Sequence, residues 1–278
     1  MKGAMATKSD EAQPGVPSVG VQNWEQLLTE LYRDAWDESI GRYRTSSVFR
    51  GADALGRELQ PGLLKLVGKD GRAGKIEKHL LRNFRKYATG EFRGGASDWR
   101  WLTFAQHHGL PTRLLDWTFS PLIAAHFATD DVSCNDRDGA IWSIDPRKTN
   151  KLLPPKLQRI AAHEGADLFT AEMLEGAAES LSAFGKLFPE PGILFLEPPS
   201  IDVRIANQFA LFSVSSTPDL DLQAWLEAHP GVARRIVIPA AAKQEIRDKL
   251  DQAGFTERLI YPGADGLARW LARYYQHR

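Results

Sequence analysis

Apolar residues recur at helical spacing near the start of the chain. "VQNWEQLLTELYRDAW" sets Trp24, Leu27, Leu28, Leu31 and Tyr32 at i, i+3, i+4, i+7 and i+8, which predicts an amphipathic helix with one buried stripe. "SSVFRGA" is a short β-prone run closed by glycine. A loop holding Pro61 and Gly62 leads to "KIEKHLLRNFRKYATG", a second helix ended by Gly90. "DWRWLTFAQHHG" predicts a third, with Asp98 or Ser97 as its cap and Gly109 past its end. After Pro111, "RLLDWT" is extended, and "SPLIAAHFA" starts a helix with Ser120 as cap and Pro121 in the first turn.

Further on, "GAIWSIDP" is a strand, helical segments run from about Lys156 to Gly185, and "GILFLEP", "DVRIANQFALFSV" and "ARRIVIP" have strand character. Helices over Leu222–His229, Ala240–Ala253 and Asp265–Gln276 complete the chain, the last with Asp265 as cap and Leu267, Trp270 and Leu271 packing inward. Strands and helices alternate without a βαβ rhythm. The expected class is therefore α+β: a single domain with a mixed or antiparallel sheet flanked by helices. Residues 1–20 are small, polar and proline-bearing and are expected to be a disordered tail ahead of one domain over 21–278.

Composition narrows the chemistry. The 278 residues carry 35 basic and 35 acidic side chains, so no global field recruits nucleic acid or an anionic membrane. The main basic concentration is local: Arg72, Lys75, Lys78, Arg82, Arg85, Lys86 and Arg93 face only Glu77 and Glu91 in that stretch. It is either a salt-sensitive nucleic-acid contact or a solvated helix face. No run approaches the roughly 20 apolar residues that span a bilayer. The one cysteine, Cys134, lies in the polar run "DDVSCNDRDG", expected as a surface loop, and it rules out an internal disulfide. With no signal-like start, a cytoplasmic protein is expected. Phosphate-loop, dinucleotide-fingerprint and nucleophile-elbow patterns are all missing.

"AQHHGLPTRLLDWTFSPLIAAHFA", residues 105–128, concentrates the polar chemistry. His107 and His108 are neighbours on a helix, about 100° apart, so both are not expected to face one site, and their spacing suits no metal. In an extended segment Asp116 and Thr118 share a face and Trp117 points away. Two readings stay open: Asp116 and Thr118 hold the ribose of a nucleotide with Trp117 as core or stacking surface, or Asp116 pairs with Arg113 and braces the core. Arg50 offers a planar donor fork for a diphosphate, and Gly51 would let a ligand approach the backbone. Arg204 and Gln208, on one face of an expected strand, need partners or a ligand.

"FRG" at Phe49–Gly51, "QHHGLPTRLLDWTFSPLIAAHFA", "DGAIW", "RIANQFALF" and "LIYPGADGLARWL" together resemble the FRG domain family. Phe49 is preferred to a second "FRG" at Phe92–Gly94 because an amphipathic helix precedes it and the central motif follows about 55 residues later. The resemblance implies a bacterial or phage-associated protein, some members resembling toxin or defence effectors, for which a neutralising partner protein is a further expectation. More distantly, the order of Arg50-Gly51, "DWTFSPLIAAHFA" and "DVRIANQFALF" is similar to ADP-ribosyltransferases of the Arg-Ser-Glu type. That likeness implies an ADP-ribosyltransferase-like fold, NAD as substrate and transfer of ADP-ribose to a macromolecule. It casts Arg50, Asp116, Thr118 and Gln208 as catalytic, and Arg50, Gly51, His108, Arg113, Trp117 and Arg204 as NAD-binding. No Glu-x-Glu or Gln-x-Glu precedes Phe209, so Gln208, Asp202 or Glu197 would supply the stabilising group. A non-catalytic module binding a nucleotide, a nucleic acid or a protein is the alternative.

Overall fold

A computed structural model describes residues 15–56, 58–92, 95–198 and 203–276. The strands are β1 (Ser18–Gly20), β2 (Trp36–Asp37), β3 (Arg42–Tyr43), β4 (Val48–Ala52), β5 (Leu114–Thr118), β6 (Gly139–Ile144), β7 (Ile193–Leu196), β8 (Ala210–Ser215) and β9 (Ala233–Ile238). Among the described residues β2 and β3 form a small ribbon, and the other seven make one sheet in the order β1-β9-β6-β4-β5-β8-β7. Only the β1–β9 edge is parallel. The fold is a single α+β domain with helices on both faces of that sheet.

Period-two alternation divides the sheet's two faces. Leu115, Trp117, Trp142 and Phe195 point into one core with the Leu222–Ala228 helix. On the other face Leu114, Leu194 and Phe212 pack beneath Trp99, Leu102 and Phe184, while Phe49, Ile141 and Ile236 pack under Ala124, Ala125 and Ile246. Two helices start where the sequence predicts. Ser97 accepts from the Arg100 amide and caps Asp98–His107, and Ser120 accepts from the Ile123 amide and caps Pro121–Phe127. Gly109, at φ +80°, lets the chain leave the first of these toward β5.

Several expectations are corrected. The sheet begins at Ser18, inside the expected tail, because Ser18–Gly20 add a parallel edge to β9; residues 1–14 lie outside the described ones. The loop around Pro61 contains a helix, Gly62–Val67, buried through Leu63 and Leu64. "RIAN" is not strand: Val203–Asn207 is a helical turn, closed when the Gln208 amide reaches the Arg204 carbonyl, and the strand starts at Ala210. Gly263 at φ +88° precedes the last helix, so Asp265 sits in its first turn instead of capping it, and Leu267 and Leu271 stay exposed. Cys134 is buried in a short 3-10 turn, where its thiol faces Asp131 and accepts from Arg137.

Candidate functional site

The site begins where the sheet splits. β4 pairs with β6 along its whole length but meets β5 only at Phe49–Thr118. Beyond that pair the two strands part. Arg50 spans the gap: Nη1 donates to the Asp116 carbonyl (2.7 Å) and Nε to the Glu58 carbonyl (2.7 Å). Two of its nitrogens are thus spent on backbone, and among the described residues no hydrogen bond takes Nη2. Burial pulls this guanidinium below the usual arginine value, while the charges of Asp116, Asp53 and Glu58 act the other way.

At the split opens a cavity of about 1230 Å³. Its walls include Arg50, Asp116, Thr118, His108, Arg204 and Gln208, brought from four separated parts of the chain. Asp116 projects from β5, and both of its carboxylate oxygens accept from Gln106 Nε2 (3.0 and 3.1 Å). Gln106 is itself fixed, since its Oε1 accepts from the Thr112 hydroxyl (2.6 Å). Arg204 stands exposed with its guanidinium 5.4 Å from the Tyr261 ring centroid. Burial and the nearby Asp130 push the Tyr261 phenol up, against the pull of Arg269 and Arg204.

Other expected residues have structural work. The buried Thr118 hydroxyl donates to the Gln208 carbonyl (2.7 Å) and accepts from the Ser120 amide (3.0 Å), tying β5 to β8. The Gln208 side chain is turned to the Ile260 carbonyl (3.2 Å). Trp117 borders the cavity, but its ring is core, with Nε1 donating to Ser213 Oγ (2.9 Å) and Phe195 edge-on against it. Gly51 is needed for packing instead of ligand approach: a Cβ there would lie 1.8 Å from the Ala124 carbonyl oxygen of the Pro121–Phe127 helix. Arg113 is not at the cavity. It is buried against Glu77, with Nε donating to Oε1 (2.8 Å) and Nη2 to Oε2, and Nη1 within 3.3 Å of the Ser215 and Ser216 carbonyls. The Arg113–Asp116 brace is therefore replaced by two separate pairs, Arg113–Glu77 and Gln106–Asp116.

His107 and His108 both line the cavity, contrary to the helical argument, because the helix ends at His107 and His108 is its cap. Glu197 follows β7 and does not line the cavity; Asp202 lies outside the described residues. Sequence reasoning passed over Asp53, Asp130, Lys65 and Arg137, which also line it. Asp53, Asp130 and Arg137 sit in polar loops where no periodicity marks them, and Lys65 is on the short helix Gly62–Val67 that the sequence presents as a loop. His126, fully buried beneath Asp130, places its Nε2 3.2 Å from that carboxylate. Asp53, Asp131 and Cys134 could bring three ligand atoms within 4.8 Å of one another. Lys243 Nζ donates to the Cys134 carbonyl (2.8 Å) and Arg137 to its sulfur (3.0 Å), so two cations already balance that cluster.

The geometry defines a class: a single-domain α+β protein with a polar cleft where two central strands of its sheet diverge. A family model for the FRG domain matches residues 45–137, so that segment of the chain is similar to the FRG domain family. The segment holds Arg50, Gln106, both histidines, Asp116 and Thr118, whereas Arg204 and Gln208 come from beyond it. No curated protein matches the chain, and no solved structure does. Among the described residues no helix is long and apolar enough to cross a membrane.

Proposed function

We propose that the cleft binds NAD and that this FRG-domain protein transfers ADP-ribose from it to a macromolecular acceptor, as an effector of the bacterial toxin or phage-defence kind. The observation that carries the reading is Arg50. Its guanidinium is locked across the strand gap by two backbone bonds and keeps one nitrogen for a ligand, beside a carboxylate that a second side chain holds in place. Arg50 Nη2 and Arg204 suit the oxygens of a diphosphate.

Asp116 is assigned to face the reacting carbon because Gln106 orients it beside Arg50, while Gln208 is neutral and engaged and Glu197 is off the wall. In the transfer, the bond from the ribose anomeric carbon to nicotinamide breaks and nicotinamide leaves with the bonding pair. Positive charge gathers on the ribose, where an oriented carboxylate lowers its energy. An acceptor lone pair then forms the new bond and gives up its proton to a cleft base.

A second reading has its own support. Thr118 and Gln208 are both spent on holding the backbone, as a non-catalytic nucleotide-binding module would have them. Calorimetric titration with NAD, followed by chromatography for free nicotinamide, separates the two. Transfer predicts binding and release, with Asp116→Asn binding but not releasing. Binding without release in the parent protein selects the module, and no binding by the parent overturns both.

A further inference from the structure

A second groove, of about 670 Å³, lies at the other end of the helix that delivers Gln106 to the cleft. Asp98 lines this groove and Gln106 the cleft, so the two sites stand about 12 Å apart along that helix axis. One wall is the helix Ala73–Ala88; the other is made by Ser180–Ser182 and Ser216–Pro218. Lys78, Arg82 and Lys86 line it at i, i+4 and i+8, so they stand in a row up one helix face about 6 Å apart. All three are exposed.

The row's charge is uncompensated. Two acids line the groove, and both are already paired: Glu77 with the buried Arg113, Asp98 with Arg85 Nη2 (2.6 Å) and the Leu181 amide (3.4 Å). Glu179 and Asp219 adjoin wall residues in sequence without lining the groove. Among the described residues Lys78 and Lys86 make no ion pair, and Arg82 meets only His79 Nδ1 (3.2 Å). Tyr87 follows Lys86 on the helix, outside the groove's lining and about 100° round from the cationic row; it is 79% exposed, with the Lys86 ammonium 5.2 Å from its ring centroid. A large aromatic left that open beside a cationic row is the combination that takes a base on its face and phosphates on its flank.

We infer that this groove binds single-stranded nucleic acid, with Lys78, Arg82 and Lys86 on successive phosphates and Tyr87 stacked on a base. Apolar wall residues Leu81, Leu181 and Pro218 favour unpaired bases over a duplex, whose backbone would leave them and Tyr87 without work. The inference is independent of what the cleft binds, and it is tested without NAD.

The probes are fluorescein-labelled oligothymidylate and oligouridylate, read by anisotropy at low salt, with a duplex and polyglutamate as competitors. Both strands are expected to bind, with a salt slope near −2, as about three phosphate contacts give. Lys78→Glu/Arg82→Glu/Lys86→Glu should weaken binding at least about tenfold and flatten that slope. Tyr87→Ala should cost about tenfold through lost stacking. Lys151→Glu, away from the groove, should change neither. Thermal melting checks the fold; should the triple variant melt early, Lys78→Glu and Lys86→Glu made singly must each give a graded loss. Parent-like binding by the charge variants overturns the inference. So does a duplex or polyglutamate that outcompetes the single strand, or a Tyr87→Ala variant that binds as the parent does.

Discussion

Gly51 and Arg50 are adjacent, yet their side chains answer to different demands. Arg50 spans a gap in the sheet and lines the cleft. Gly51 lets the strand lie against the Pro121–Phe127 helix so closely that any Cβ would enter the Ala124 carbonyl. Gly51→Ala is therefore expected to cost more than the usual 1–3 kcal/mol of overpacking, because backbone cannot swing aside as a side chain does. A urea melt of the variant measures this, and parent-like stability would contradict it. Glu77→Ala tests the other buried pair. With Arg113 only 5% exposed, losing its carboxylate partner leaves an uncompensated charge, an expected loss of about 3–5 kcal/mol in the same assay. A loss under 1 kcal/mol would mean that the Ser215 and Ser216 carbonyls suffice for Arg113.

At the scale of elements, the turn into β8 carries backbone strain. Phe209 has φ +46°, a left-handed conformation costly for a bulky residue, pinned by its amide to Ala206 and its carbonyl to Phe119. The ring is 54% exposed, so little burial is lost on removing it. Phe209→Gly is expected to stabilise the protein by about 1 kcal/mol in denaturant titration; destabilisation would show that the ring packs harder than its exposure implies.

The last helix depends on ions. Burial alone would raise the Glu257 carboxyl, but the bonds and charge of Arg273 outweigh it and hold the group below its ordinary value. A depressed native value means the pair stabilises the fold above the ordinary glutamate range and gives way as pH falls through the lowered value. Amide exchange over residues 257–274 should accelerate on acidification before the central strands do, and Glu257→Gln should flatten that dependence. Uniform acceleration across the sheet would contradict it.

For the whole molecule, six of the sheet's seven strands and most helices were visible in the sequence patterns, because each buries a face whose period shows along the chain; β1, three residues at the edge, was not. The patterns missed what depends on distant partners. Periodicity shows that Asp116 and Thr118 share a face, but not that Gln106 claims one and Gln208 the other. Arg113 read as a neighbour of Asp116, since a pairing with Glu77 on another helix leaves no local trace. Val203–Asn207 read as strand because five residues are too few to show a helical period, and Asp53 and Asp130 were hidden in polar loops. Arg50, Asp116, Thr118 and Gln208 came together as a set only through the likeness to ADP-ribosyltransferases, and all four line one cleft.

The central claim is that Arg50, held across the strand gap, meets a diphosphate in that cleft. Calorimetric titration of NAD into the parent protein and into Arg50→Lys tests it most directly, because lysine keeps the charge but cannot hold two carbonyls and a ligand at once. Saturable binding by the parent and at least tenfold weaker binding by the variant are expected, with the variant still folded at the titration temperature although it melts somewhat earlier for the lost carbonyl bond. Equal affinity in the two proteins would contradict it.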